Sequence, residues 1–421
     1  MFANAKSPVP ARLMILFRRE TTHQRVEEAL GMRVARATDF PNSAPRSEEL
    51  AGTGALFLDH TGVAIVADTS ELSVRLYAAM RDANSRILAV EPVRALRGSN
   101  SADYWRGYRD GIGQTVEKLL ESYGPFRERD AWRLTVFAED QATWGLQAVK
   151  AVPNAYTGNG VRVAVLDSGF DFNHPDFLNQ GIEARAASFL AGEPVQDANG
   201  HGTHCAGTLC GPAIPQTLPR YGVAPGVELY AGKVLDQNLD GDDAGLQAGI
   251  NWAVANGCRI VSMSLGAPVQ RGEAYSPVYE GAAQNALAAG TLLIAAAGND
   301  SWRPRSIAPV QSPADCPSIM SVGAVNSSYD IANFSDAGLN SNARVDLVAP
   351  GVNVYSSWRL PDAYRRKNGT SMATPHVAGV AALYAEAENL VGLQLWARLI
   401  QTAQYLPLSA EDAGAGLVQA P

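Results

Sequence analysis

The chain has 421 residues, 46% of them apolar and 18% charged, which suits a soluble globular protein of two or more domains. Lys and Arg number 19 against 17 Asp and Glu in residues 1–138 and 15 against 25 in the rest, so the net charge of −8 resides in the C-terminal part. That acidic part argues against nucleic acid as a partner, because phosphate contacts need clustered cations.

Residues 1–10 form a short tail containing Pro8 and Pro10. Residues 11–97 predict a small α+β unit: a strand at Leu13–Phe17, a helix at Thr22–Gly31, strands at Ala55–Leu58 and Gly62–Ala67, a helix at Glu71–Ala83, and a strand at Ile87–Val93. Leu72, Leu76 and Met80 should share the buried face of the second helix. This order suits a split βαβ layout with helices on one face. Leu13–Phe17 is followed by Arg18, Arg19 and Glu20 and is too short for a secretory signal or a membrane span. A cytoplasmic protein, or one exported without a recognisable signal, is expected. Residues 98–140 predict a linker with a helix at Tyr104–Tyr123.

From 141 to 421 strands alternate with helices. Val161–Leu166, Val227–Val234, Arg259–Ser264, Leu292–Ala297 and Ile319–Ala324 are short apolar runs of the kind buried in parallel sheets. Helices are expected at Ala244–Asn256, Tyr279–Ala289 and Ser371–Ala387. The pattern predicts an α/β fold: a doubly wound, mostly parallel sheet with helices on both faces. Cys205, Cys210, Cys258 and Cys316 show no CxxC spacing, so no zinc site is expected. They read as free thiols, which favours a reducing compartment.

Three segments carry chemistry. Val161–Leu166 runs into Asp167, Ser168 and Gly169, placing a carboxylate at the carboxyl end of a strand, where open parallel sheets build their sites. His201 lies between Gly200 and Gly202 at the start of a helix, with His204 one turn on. A metal held by His201 and His204 is the rival reading, but no carboxylate or Cys partner stands at suitable spacing. Ser371 follows Asn368-Gly369-Thr370 where a loop meets a helix N-terminus, whose amides and dipole favour a developing oxyanion. Taken singly, each has an ordinary use as a turn or helix cap.

In wording and order these segments resemble the subtilisin-like serine proteases. The resemblance extends over about residues 141–421, through Ser262-Met263-Ser264-Leu265-Gly266, Ala295-Ala296-Ala297-Gly298-Asn299 and Val348-Ala349-Pro350-Gly351. The His201 segment with Cys205 is most similar to the proteinase K branch. It implies a serine endopeptidase with no cofactor: Ser371 as nucleophile, His201 as base, Asp167 orienting the imidazole, and Asn299 lending its amide to the oxyanion hole. Ser264, Leu265 and Gly266 would pair with the substrate backbone and, with Ala296, Ala297 and Gly298, wall the S1 pocket, with Gln311 near its floor. Peptides or proteins would be the substrates. A catalytically silent binding module, or a transpeptidase using the same acyl-enzyme, are the alternatives.

Two departures and one addition stand out. Asp176 matches the carboxylate of a calcium site in secreted relatives, but the stretch Cys210–Pro219 that should complete it has no Asn or Asp, so no metal is expected. Asp236, Asp240, Asp242 and Asp243 lie where relatives bind residues upstream of the scissile bond, and would favour basic side chains at P2 or P4. Residues 11–97 resemble the family's inhibitory propeptide, implying a self-processing zymogen cut between Arg94 and Gln141. The linker that follows is longer than in relatives.

Overall fold

The computed structural model describes residues 12–40, 54–82, 85–98, 137–178 and 180–421. The tail 1–10 and the helix expected at Tyr104–Tyr123 lie outside them. The N-terminal unit begins with β1 (Arg12–Phe17) and α1 (His23–Leu30), which stops at Gly31. β2 (Ala35–Arg36), β3 (Ala55–Leu58) and β4 (Val63–Ala67) follow, then α2 (Ser70–Met80), whose N-cap Thr69 accepts from the Leu72 N–H. β5 (Ile87–Pro92) completes a five-stranded sheet in the order β2-β3-β4-β1-β5.

Nearly every residue of β1 is buried because both faces of this sheet are covered. Leu13, Ile15 and Phe17 pack with Val26, Leu30, Leu72 and Leu76 of the two helices. Met14 and Leu16 join the large core of the rest of the molecule. Met80 departs from expectation and is 39% exposed. Its helix presents positions 72, 76 and 79 to the sheet, so Ala79 takes the place that Met80 was expected to fill.

The larger unit opens with α3 (Trp144–Ala148), β7 (Arg162–Asp167) and β8 (Ala186–Ser188), preceded in the chain by β6 (Ala95–Gly98). Then come α4 (His201–Cys210), β9 (Glu228–Lys233), β10 (Asp240–Asp242), α5 (Asp243–Ala255), β11 (Ile260–Met263) and β12 (Leu265–Gly266). α6 (Pro277–Ala288), β13 (Leu292–Ala296), β14 (Met320–Val325) and β15 (Leu347–Pro350) continue the alternation. The chain ends with the hairpin β16 (Val354–Ser357) and β17 (Tyr364–Lys367), then α7 (Thr370–Glu388), α8 (Gly392–Thr402) and α9 (Ala410–Ala413).

Seven strands form one sheet in the order β15-β14-β13-β11-β7-β9-β8, with every neighbouring pair parallel. The chain runs from β7 out to the edge strand β8, returns through α4 to β9, and crosses through α5 to β11 on the other side of β7. α4 packs on α7, whereas α5 and α6 pack on one another and toward the N-terminal unit, and helices cover both faces of the sheet as the doubly wound reading requires. The switch of direction falls beside β7, whose last residue is Asp167.

A second, three-stranded sheet has the order β10-β6-β12. β6, which follows the N-terminal unit, thus lies as the middle antiparallel strand between two strands of the larger unit. The four cysteines are free and buried. No helix among the described residues is long and apolar enough to cross a membrane.

Candidate active site

Asp167 ends β7 and is fully buried. Its Oδ1 lies 2.7 Å from His201 Nδ1 and accepts the Ser168 N–H at 2.7 Å. His201 opens α4, and Asp197 builds the loop that puts it there. Asp197 Oδ1 accepts from the N–H groups of Asn199 and Gly200 and from Ser168 Oγ, and Oδ2 accepts from Thr203 N–H and Oγ. Gly200 has φ 109°, and a Cβ there would come within 2.4 Å of the Trp358 ring, so only glycine fits. Sequence reading passed over Asp197; an Asp four residues before a helix-opening histidine is an Asx-turn signal.

Ser371 lies in the first turn of α7, where backbone N–H groups have no partner within the helix. Pro375, four residues on, supplies no N–H to the Ser371 carbonyl. That carbonyl accepts from Ser264 Oγ at 2.8 Å and Cys205 Sγ at 3.4 Å instead. The Ser371 hydroxyl donates to Ser264 O at 3.2 Å. His201 Nε2 is buried with no hydrogen-bond partner among the described residues.

Asn299 follows β13. Its Oδ1 accepts from the N–H of Thr370 at 2.8 Å and its hydroxyl at 3.0 Å, so the side chain caps α7. Because an N–H faces the oxygen, the NH₂ must point the other way, and Asn299 Nδ2 has no partner among the described residues. Cys205 Sγ lies 3.8 Å from His201 Nδ1 and 3.4 Å from Ser371 O, so the histidine, whose Nε2 can act as a base, and the Asn299 amide, a donor, belong to the same neighbourhood.

Burial is the largest single influence and lowers the His201 pKa, but the Asp167 carboxylate and Cys205, with the hydrogen bonds they make, together outweigh it and hold the value well above the ordinary 6.5. His204 is driven down to about 3, first by burial and then by the charges of His201 and Lys367. Neutral, it turns Nε2 to the carbonyls of Val354 and Arg365, both at 3.1 Å, and ties α4 to the β16–β17 hairpin. That use takes it away from the His201–His204 metal reading.

Asp167, His201 and Cys205 offer ligand atoms within 4.8 Å of one another. Burial raises the Cys205 thiol pKa, and it donates to Ser371 O, whereas a thiol must lose its proton to bind a metal. Asp176 accepts from Tyr221 Oη at 2.5 Å, Gln216 N–H at 2.7 Å and Tyr364 Oη at 3.1 Å.

Of the segments expected to meet a substrate, Leu265–Gly266 and Asp240–Asp242 flank β6. Leu265 and Gly266 pair with Gly98 and Arg97, and Ser264, next in line, faces Ser371. Ala296 ends β13, and the Ala297 carbonyl accepts the Gln311 N–H at 2.8 Å. The Gln311 side chain lies 2.9 Å from where a Cβ on Gly266 would stand and 2.6 Å from one on Gly298, placing it between the two walls. The acidic segment is taken up by arginines of residues 12–97. Arg12 meets Asp242 at 2.6 Å, and Arg94 binds the buried Asp243 through both its N–H and Nε. Arg97 stands 3.5 Å from Asp240 in solvent.

A profile of the Subtilase family, Peptidase S8, matches residues 158–417. Subtilisin E of Bacillus subtilis (strain 168) is 42% identical over 270 residues, 62% of this chain and 66% of its own length. The chain thus spans just under two thirds of that relative. Subtilisin of Bacillus pumilus is 41% identical over 282 residues, 65% of this chain and 96% of its own length. Alkaline protease of Alkalihalobacillus alcalophilus is 40% identical over 299 residues, 70% and 72%. The switch-point carboxylate, the helix-opening histidine, the serine at a helix N-terminus and these matches lead to one conclusion: the chain belongs to the subtilase family.

Proposed function

We propose that the protein is a serine endopeptidase using Asp167, His201 and Ser371, made as a zymogen whose N-terminal unit fills the substrate cleft. The observation that carries the first part is a buried His201 that is held by Asp167, is joined through Cys205 Sγ to the Ser371 carbonyl and keeps Nε2 unpartnered, together with the unpartnered Asn299 Nδ2 beside Thr370. Ser371 Oγ attacks the peptide carbonyl while His201 Nε2 takes its proton and returns it to the leaving amine. Asp167 fixes the Nδ1–H tautomer and stabilises the imidazolium. The Asn299 amide and the Ser371 N–H receive the oxyanion.

The second part rests on β6. Bound antiparallel between β10 and β12, it has the form of a substrate added as a strand. Gly98, paired with Leu265, is the described residue of β6 nearest Ser264 along the ladder, and for that reason the bond to be cut is assigned just past it.

Wild-type protein should hydrolyse an unstructured protein such as casein and take a fluorophosphonate label, and Ser371→Ala should do neither while remaining folded. Asn299→Ala should lower kcat by about 10²–10³-fold, a magnitude carried over from the same family, with KM little changed. A wild-type protein that binds peptides but takes no label would instead be a silent binding module.

A further inference from the structure

The loop Gly298–Ser301, which carries Asn299, is bonded to Thr370 through the Gly298 N–H, to Phe334 O through the Ser301 N–H, and to Asp336 on both sides of Asn299. Asp336 lies after β14 and is fully buried. Its backbone N–H donates to Gly298 O at 3.1 Å. Its carboxylate accepts from Asp300 N–H at 3.2 Å, Ser301 N–H at 2.8 Å and Ser301 Oγ at 2.7 Å. The partners are residues on both sides of Asn299. The fit is close: a Cβ on Gly298, at φ 116°, would stand 2.2 Å from Asp336 Oδ2.

Burying a carboxylate here is unfavourable, and desolvation pushes the Asp336 pKa up to about 7 against the pull of its donors. Among the described residues no cation pairs with it to offset that cost. A carboxylate, however, accepts all three donors without presenting an N–H or O–H of its own, which Asn cannot do. The arrangement trades stability for a fixed loop, and the residue fixed at its centre is Asn299.

We propose that Asp336 is a positioning residue for the oxyanion-binding amide: by clamping the peptides before and after Asn299, it sets where Asn299 Nδ2 points in the transition state. Thr370 holds the other end of the same side chain through Oδ1. The inference rests on the endopeptidase reading and adds to it a residue from a segment distant from the triad.

The test is Asp336→Asn in the full chain. Its amide NH₂ would meet one of the N–H donors, and that side of the clamp must release. We expect kcat to fall about tenfold or more, with KM within about twofold of wild type. Affinity for a peptide boronic acid, which becomes tetrahedral on Ser371, should fall by the same factor as kcat/KM. Affinity for a non-covalent product peptide should stay unchanged, a split that general loosening of the fold does not produce. Ser301→Ala, which removes one donor to Asp336 and the acceptor of the Ala308 N–H but leaves both N–H bonds to the carboxylate, should shift kcat and boronate affinity in the same direction by about threefold. Wild-type kcat and boronate affinity in Asp336→Asn, or equal loss of boronate and product-peptide affinity, would overturn the proposal. If Asp336→Asn does not fold, an indifferent Ser301→Ala overturns it. An inactive, unlabelled wild type would instead refute the endopeptidase reading.

Discussion

At His201 burial and charge oppose one another, and charge wins. On the endopeptidase reading the neutral imidazole takes the Ser371 proton, so kcat/KM should rise with pH along a limb set by a His201 value above 6.5. In Asp167→Asn the attraction is gone while burial remains, so that limb should move to lower pH as activity falls by orders of magnitude. The same shift is linked to stability. A histidine whose folded pKa is raised contributes stability fully below its unfolded value, and loses it as pH rises through the folded value. Wild type should therefore exceed Asp167→Asn in melting temperature by more at pH 5 than at pH 9. A constant difference would show that the pair carries no linked charge. The residues proposed for the chemistry stood out in the sequence because each lies in a local motif: strand-Asp-Ser-Gly, Gly-His-Gly, Gly-Thr-Ser. Asp197 and Asp336 did not, because each acts through backbone amides whose partners the sequence does not reveal.

At the scale of elements, the central strands were readable from continuous apolar runs, since β7, β11, β13 and β14 are buried on both faces. β2, β8 and β12 span two or three residues, too few for any period to show. Asp176 shows how an element contact takes over a role the sequence left open. Three donors from separate segments converge on its carboxylate, with Tyr221 and Tyr364 supplying hydroxyls. Burial pushes both phenols upward in pKa, so they remain donors. Calcium needs six to eight oxygens, and here the carboxylate is already engaged by protons. A chelator should leave the melting temperature within about 1 °C, while Tyr221→Phe should destabilise by about 1–3 kcal/mol through the donor it removes from a buried carboxylate. A chelator-induced drop of several degrees would contradict this.

Across the whole molecule, the uneven charge has a structural counterpart. Arg12, Arg94 and Arg97 meet carboxylates of β10 and the start of α5, and the neighbouring sheet face that carries Met14 and Leu16 merges with the large core. The three ion pairs are unequal. Arg94 serves the buried Asp243, which Tyr279 also supports with its hydroxyl at 2.9 Å. Arg97 and Asp240 stand largely in solvent, where a pair is worth little. On the zymogen reading, wild type cuts itself just past Gly98, Ser371→Ala stays whole, and added residues 1–98 inhibit the mature enzyme. Removing Arg94 leaves a buried carboxylate without its cation, a loss of about 3 kcal/mol or more. Arg94→Ala should then raise the inhibition constant of that fragment by about 10²-fold, whereas Arg97→Ala should change it by no more than about threefold. Equal effects from the two would mean that the strand is held by its backbone pairing alone. Failure of the fragment to inhibit, beside an active enzyme that keeps its full mass, would separate residues 1–98 from any inhibitory role while leaving the triad untouched.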